Sequence, residues 1–247
     1  MVSFGLPKSW EAEAKARFDK HFNTLTSPYV TVPATALTTV LLTLGYLRFS
    51  KRRLKRIRNV DHLEPWVIES GKVLKGRVTS VGDGDNFRFY HRPGLYRLRR
   101  VPSSKTDLKD ETLHIRLAGV DAPEAAHFGK PAQPYSAEAL QWLTKYLNGR
   151  NVAVRLFSKD RYGRVVGMTY IRRFPWLWRT NVSEEMLKAG LATLYEQDGA
   201  QYGGSLERFK QLEATAKQKG RGMWAKPMWG KGAYESPAEY KRRHSGA

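Results

Sequence analysis

Leu113-His114-Ile115-Arg116-Leu117-Ala118-Gly119-Val120-Asp121-Ala122-Pro123-Glu124 is the stretch whose reading decides the fold. Leu113, Ile115 and Leu117 alternate with His114, Arg116 and Ala118. A strand of period two sends the aliphatic side chains to one face and the guanidinium to the other, so Arg116 is expected to be presented rather than packed. Gly119 loosens the backbone after the strand. Pro123 holds Ala122 extended, which turns the Ala122 carbonyl outward between Asp121 and Glu124. Carboxylates and carbonyls bind hard cations, and a planar guanidinium grips phosphate through two donors. The set therefore suits a cation beside a phosphate ester, although a strand end with ordinary solvated charges would read the same way in this stretch alone.

Two further pieces lie on either side. Asp83-Gly84-Asp85 stands between an alternating run from Leu74 to Thr79 and another from Phe87 to Tyr90, which together predict a hairpin. Asp160-Arg161-Tyr162-Gly163-Arg164 stands between strands expected at 152–156 and 165–171. An Asp at a turn or an Arg before a strand is ordinary by itself. In the order VxDGD, RLxxVDAPE and DRYGR, however, the set resembles the staphylococcal nuclease (thermonuclease-like) family from about Lys72 to Trp224.

That resemblance implies a role for each residue. Asp85 and Asp121 would hold a metal together with the main-chain carbonyl of Ala122, and Glu124 would orient or deprotonate the attacking water. Arg116 and Arg164 would hold the phosphodiester and neutralise charge as phosphorus becomes five-coordinate. Ala122 stands where many relatives have Thr, a change that a main-chain ligand tolerates. Asn86 replaces another frequent Thr and would alter the surrounding water. Family relatives are Ca²⁺-dependent and cleave DNA and RNA, so the resemblance implies Ca²⁺ as the cofactor here, with Mg²⁺ or Mn²⁺ as alternatives.

The chain has 247 residues and a net charge of +20, long enough for one domain with a core plus appendages. So large a basic surplus favours nucleic acid or an anionic membrane surface. The absence of cysteine excludes disulfides and Cys-ligated zinc. Of the histidines, His127, just past the elbow, is the only one expected near the site.

In chain order, residues 1–28 mix both signs of charge, unlike an Arg-rich, acid-poor transit peptide. Phe22 to Leu47 carries no charge, and a basic run from Arg48 to Arg58 follows. A cleaved signal would carry its positive charge before the apolar run, and a buried core helix would not normally end in such a cationic block. The expectation is therefore a single transmembrane helix over 29–49, its basic 48–58 run against lipid headgroups. Threonines dilute that helix, which is expected to start near Pro33, or a turn earlier if Pro33 only kinks it.

Residues 50–71 read as a basic juxtamembrane linker whose Trp66-Val67-Ile68 patch docks on the domain. Residues 72–226 form the nuclease-like domain, and 227–247 a fraying tail. His91 to Glu111 reads as an excursion, longer than is usual in the family, whose arginines either widen a nucleic-acid contact or solvate a loop. Helices are expected at 136–148, from Asn181 to about Gly190, and at 205–219.

The expected fold is α+β, mainly β: a closed five-stranded OB-fold barrel with flanking helices, behind one transmembrane helix. With its apolar segment the chain resembles the fungal membrane-bound mitochondrial endonucleases of the family, which implies a mitochondrial location. Two other functions compete. One is a non-catalytic OB-fold module that binds nucleic acid or peptide on a membrane tether. The other is a lipid-binding tether carrying the barrel as cargo.

Overall fold

The computed structural model describes residues 8–126, 130–173, 178–225 and 236–244, so His127 lies outside the described residues. The chain divides into two compact units, Met1–Leu54 and Lys55–Ala247.

In the first unit, α1 (Lys8–Thr26) is followed by α2 (Pro28–Leu54), which carries Pro33 inside it. The transmembrane helix expected over 29–49 is not found: among the described residues no helix is long and apolar enough to cross a membrane. The physical reason is in the sequence of α2. Thr35, Thr38, Thr39 and Thr43 interleave with its leucines, and Thr35 and Thr39 turn their hydroxyls back onto the carbonyls of Val32 and Thr35. The same helix then runs on into Lys51-Arg52-Arg53.

The first α-helix of the second unit is α3 (Pro65–Glu69), where Val67 is buried and docks the patch around it. The main sheet contains β1 (Val73–Asp83), β2 (Asn86–His91), β3 (Leu113–Leu117), β5 (Asn151–Lys159), β6 (Val165–Arg173) and β7 (Trp178–Asn181). A separate two-stranded sheet pairs β4 (Val120–Asp121) with β8 (Thr193–Leu194). The helices are α4 (Ser136–Leu147), α5 (Val182–Ala189), α6 (Leu206–Gln218) and α7 (Pro237–His244).

The expected five-stranded closed barrel is corrected to an α+β fold with a six-stranded sheet in the order β3-β2-β1-β5-β6-β7. The sheet curls enough for β3 to meet β6 in parallel at Ile115↔Val165 and Leu117↔Gly167. The unforeseen strand is β7, whose segment reads as an extended loop around Trp176 and Trp178. It pairs with Tyr170–Arg173. One edge of β6 is therefore shared, its first residues going to β3 and its last to β7.

Phe87, Phe89, Leu113, Ile115, Leu117, Leu143, Leu156 and Met168 form the fully buried interior. Each such side chain contributes about 1.5–3 kcal/mol relative to exposure. Irregularities in the β1–β2 ladder at Val78/Ser80 and Val81/Asp83 bend β1 toward its hairpin turn. That turn carries Asp85.

Candidate active site

Arg116 lies on β3 opposite Asn86 of β2 and Val166 of β6. The alternation that set its face is borne out, but the side chain is packed, not presented, with 9 % of the residue exposed. Two carboxylates and an aromatic ring enclose it. Its Nε donates to Asp85 Oδ2 at 3.2 Å and its Nη2 to Asp121 Oδ1 at 2.9 Å. Its guanidinium carbon stands 4.4 Å from the centroid of the Tyr195 ring. Burial alone would make the guanidinium easier to deprotonate, but Asp85 and Asp121 outweigh it and raise its pKa above the usual arginine value.

Asp85 arrives through the hairpin. Asp83 and Asn86 pair across the turn, the Gly84 amide donates to Asp83 Oδ1 at 2.7 Å, and Leu117 N donates to the Asp85 carbonyl at 2.9 Å. Gly84 is required by a close approach: a Cβ there would lie 2.7 Å from the Ala122 Cβ. The DGD turn thus rests directly on the VDAPE elbow, although Ala122 lies 38 positions after Gly84 in the chain.

The elbow is fixed from the other side. Gly119 has φ +73°, which lets the chain reverse between β3 and β4, and β4 sets Asp121 opposite Thr193. Thr193 Oγ1 donates to the Asp121 carbonyl at 3.3 Å. Glu124 is held by its backbone: its amide donates to Gln133 Oε1 at 2.8 Å, and Gln133 N donates to the Glu124 carbonyl at 2.9 Å. Gln133 is itself buried, and its Nε2 donates to the Ser236 carbonyl at 3.4 Å. Beside it the Tyr240 hydroxyl of α7 donates to the Pro131 carbonyl. The 227–247 segment therefore contains a docked helix at the elbow, where a fraying tail was expected.

Arg164 is set by a tight turn before β6. Asp160 accepts from Tyr162 N at 2.9 Å, from Arg164 N at 2.8 Å and from Arg164 Nε at 2.7 Å. These bonds to its charged form hold the Asp160 carboxyl below its ordinary pKa, against the opposing effect of burial. His114 shares a face of β3 with Arg116 and lies within the fields of both Asp85 and Arg164. Its pKa is lowered to about 4, chiefly by burial and then by Arg88 and Arg164, with Asp160 and Asp85 opposing. His114 Nε2 is 2.9 Å from Asn86 Oδ1.

The structure thus brings Asp85, Arg116, Asp121 and Ala122 into one packed group. Glu124 stands two residues beyond Ala122, and Arg164 two residues before the β6 position that faces Arg116. No cluster of three or more acidic, His or Cys ligands occurs among the described residues. The donor chemistry still fits a hard cation. Asp85 and Asp121 both meet the one Arg116 guanidinium and supply carboxylate oxygens on two sides of it, and a main-chain carbonyl adjoins them, the oxygen donors that a hard cation takes. Asp121 also opens onto a cleft of about 370 Å³ lined by Thr193, Tyr195, Glu213, Lys217 and Trp224.

Tyr195, Gln133 and Asp160 support the site and were not singled out from sequence. DRYGR contained a signal for Asp160, since an Asp before a glycine turn commonly caps its own loop. Nothing local marks Tyr195 or Gln133.

Residues 114–226 match the model of the family described as "Staphylococcal nuclease homologue". That span contains Arg116, Asp121, Glu124 and Arg164, while Asp85 precedes it. The chain is 50% identical over 226 residues to the protein of Coccidioides posadasii (strain C735) named "Probable endonuclease LCL3", covering 86% of this chain and 72% of that one. The "Probable endonuclease LCL3" of Schizophyllum commune is 47% identical, covering 89% and 77% of the two chains. The one from Candida albicans (strain SC5314) is 48% identical, covering 88% and 92%.

Proposed function

From the premise that this chain belongs to the staphylococcal nuclease homologues, and is thereby a nuclease, we propose that it is a divalent-metal-dependent endonuclease cutting DNA or RNA phosphodiester bonds. The observation that carries this reading is the packing of Asp85 and Asp121 on two sides of Arg116, with Glu124 at the end of the same elbow. Hydrophobic packing does not need two aspartates and an arginine in one buried spot, and burying them costs desolvation that only close pairing offsets, so their presence together marks a candidate site.

Asp85, Asp121 and the Ala122 carbonyl are the residues that would hold the cation, with Ca²⁺ proposed and Mg²⁺ or Mn²⁺ as alternatives. When bound, the cation would polarise a phosphoryl oxygen and offset the negative charge of the aspartates. The remaining work falls to side chains. Glu124 accepts a proton from the attacking water, its backbone pinned at both N–H and C=O by Gln133 so that the carboxylate starts from a fixed origin.

The aspartates take Nε and Nη2 of Arg116, which leaves Nη1 for a phosphoryl oxygen. Asp160 takes only Nε of Arg164, which leaves both terminal nitrogens of that guanidinium for the same group. Two cations aimed at charge that grows in the transition state contribute several kcal/mol, about 3–4 for each donor lost in comparable sites. A mitochondrial location is proposed on the resemblance alone, and fractionation of the tagged chain tests it.

Glu124→Gln tests the reading. The full chain should fold with unchanged thermal stability and cut a labelled oligonucleotide about 10²–10⁴-fold more slowly. An unchanged rate removes Glu124 from the mechanism. A wild-type chain that binds nucleic acid and never cuts it, with or without Ca²⁺, replaces the enzyme with a binding module.

A further inference from the structure

A second cavity, of about 380 Å³, lies on the same sheet but away from the aspartates. It is lined by Lys75 of β1, Arg92 and Arg97 of the excursion after β2, Tyr170 and Arg172 of β6, and Arg179 of β7. Among the described residues no acidic one lines it, and none of its five cations is paired with a carboxylate.

We propose that this cavity is a phosphate-binding exosite that holds the backbone of a nucleic-acid strand at a distance from the bond being cut. The inference rests on the nuclease reading for its choice of ligand, but not for the site itself.

Three observations support a built anion site over incidental surface charge. Arg172 and Arg179 are direct cross-strand partners, a like-charge pairing that is destabilising in a sheet and is relieved by an anion between the two. Arg92 is held by acceptors that leave its charge unneutralised: the carbonyls of Tyr96 at 3.3 Å, Arg97, and Arg99 at 2.9 Å, with Asn151 Oδ1 at 3.4 Å. Lys75 has its pKa lowered, first by Arg97, then by burial and by Arg172 and Arg179, so these cations do feel one another.

Ala153 is the cross-strand partner of both Lys75 and Tyr170, so its methyl group keeps the floor between them low, and Tyr170 adds a ring on which a base can stack. The excursion at 91–111 thus gains a role for Arg92 and Arg97, while Arg99 and Arg100 do not line the cavity.

Val166 faces Arg116, and Arg172 lies six residues further along β6, about 20 Å away at roughly 3.3 Å per residue. At about 3.4 Å per nucleotide along one strand, that span is about six nucleotides. A strand shorter than this reaches one site, and a longer one reaches both.

The test is binding of the full chain, in chelator so that nothing is cut, to labelled single strands of about 3 and about 16 nucleotides, for wild type and the double variant Arg172→Gln/Arg179→Gln. The double variant should bind the long strand about tenfold more weakly, its log–log salt slope should fall by about 1.4 for two lost phosphate contacts, and the advantage of the long strand over the short one, which reaches only one site, should shrink. Its thermal midpoint should hold or rise, because the like-charge pair is gone. Lys75→Gln, on another strand of the sheet, should lower the slope by about 0.7 and covers the case in which the double variant misfolds.

Unchanged long-strand affinity and slope overturn the exosite. So does a double variant that releases phosphatidylserine vesicles while binding the long strand normally, since that marks a lipid-headgroup site. A double variant that loses the slope in a chain without nuclease activity keeps the exosite and removes the enzyme.

Discussion

Replacing Arg116 with Met keeps the volume of the side chain and removes its charge, which isolates what the guanidinium does for its two aspartates. In the native chain Asp85 and Asp121 are 8 % and 3 % exposed and meet Arg116 at 3.2 and 2.9 Å. Without it, two buried carboxylates face each other with no cation between them. Removing one partner of a buried ion pair costs about 3–5 kcal/mol, and losing the stacking on Tyr195 adds about 0.5–2 kcal/mol.

In a unit of this size each kcal/mol corresponds to about 2–4 °C, so the melting midpoint should fall by about 7 °C at least. Equilibrium urea denaturation of the full chain measures the loss, and the loss should shrink in acid, where an unpaired carboxylate can take up a proton. The triple variant Asp85→Asn, Arg116→Met, Asp121→Asn should recover much of it, because no isolated charge is left. A loss below about 1 kcal/mol for the single variant, the magnitude of an exposed pair, would refute the claim that the three groups form one buried electrostatic unit.

Gly84→Ala puts a Cβ 2.7 Å from the Ala122 Cβ and should cost about 1–3 kcal/mol by overpacking, with a fall in cutting rate because the clash separates the turn from the elbow. Denaturation and rate measurements on one preparation check both effects. His91 is 2 % exposed, its Nδ1 accepts from Ile57 N at 3.0 Å, and burial, then Lys72 and Arg56, lower its pKa to about 3. Because the unfolded chain binds that proton near pH 6.5 and the folded one does not, the stability from neutral His91 is complete above about pH 6.5 and is lost as pH falls toward 3. His91→Asn, which keeps an acceptor for Ile57 N, should flatten the acid limb of the stability profile, and an unchanged limb would assign acid sensitivity elsewhere.

The parts of this molecule legible in its sequence are those fixed by short-range pattern. The alternation around Ile115 gave β3, the DGD turn gave the β1–β2 hairpin, and Asn181 caps α5 by accepting from Ser183 N, as its spacing with Glu184 suggested. The convergence of Asp85, Arg116 and Asp121 was legible only through the order of three motifs, since each is unremarkable locally.

What escaped depends on partners distant in the chain. Arg116 is buried because Tyr195 covers it, 79 positions later, and Gln133 matters because Glu124 and Ser236 meet at it. Strand β7 owes its existence to the free edge of Tyr170–Arg173 more than to its own composition. For α2, leucine count and flanking charge pointed to a membrane span, whereas its threonines, Pro33 and basic end leave the helix too polar for one.

The most direct measurement is cleavage of a labelled oligonucleotide by the full chain as Ca²⁺ is titrated back into chelator, for wild type and for Asp121→Asn. Wild type should be silent in chelator and recover saturably with Ca²⁺. Asp121→Asn should need far more Ca²⁺ to reach half of its own, lower maximum. Cleavage by wild type that persists in chelator, or a Ca²⁺ midpoint that Asp121→Asn leaves where it was, would contradict the site described for Asp85, Arg116 and Asp121.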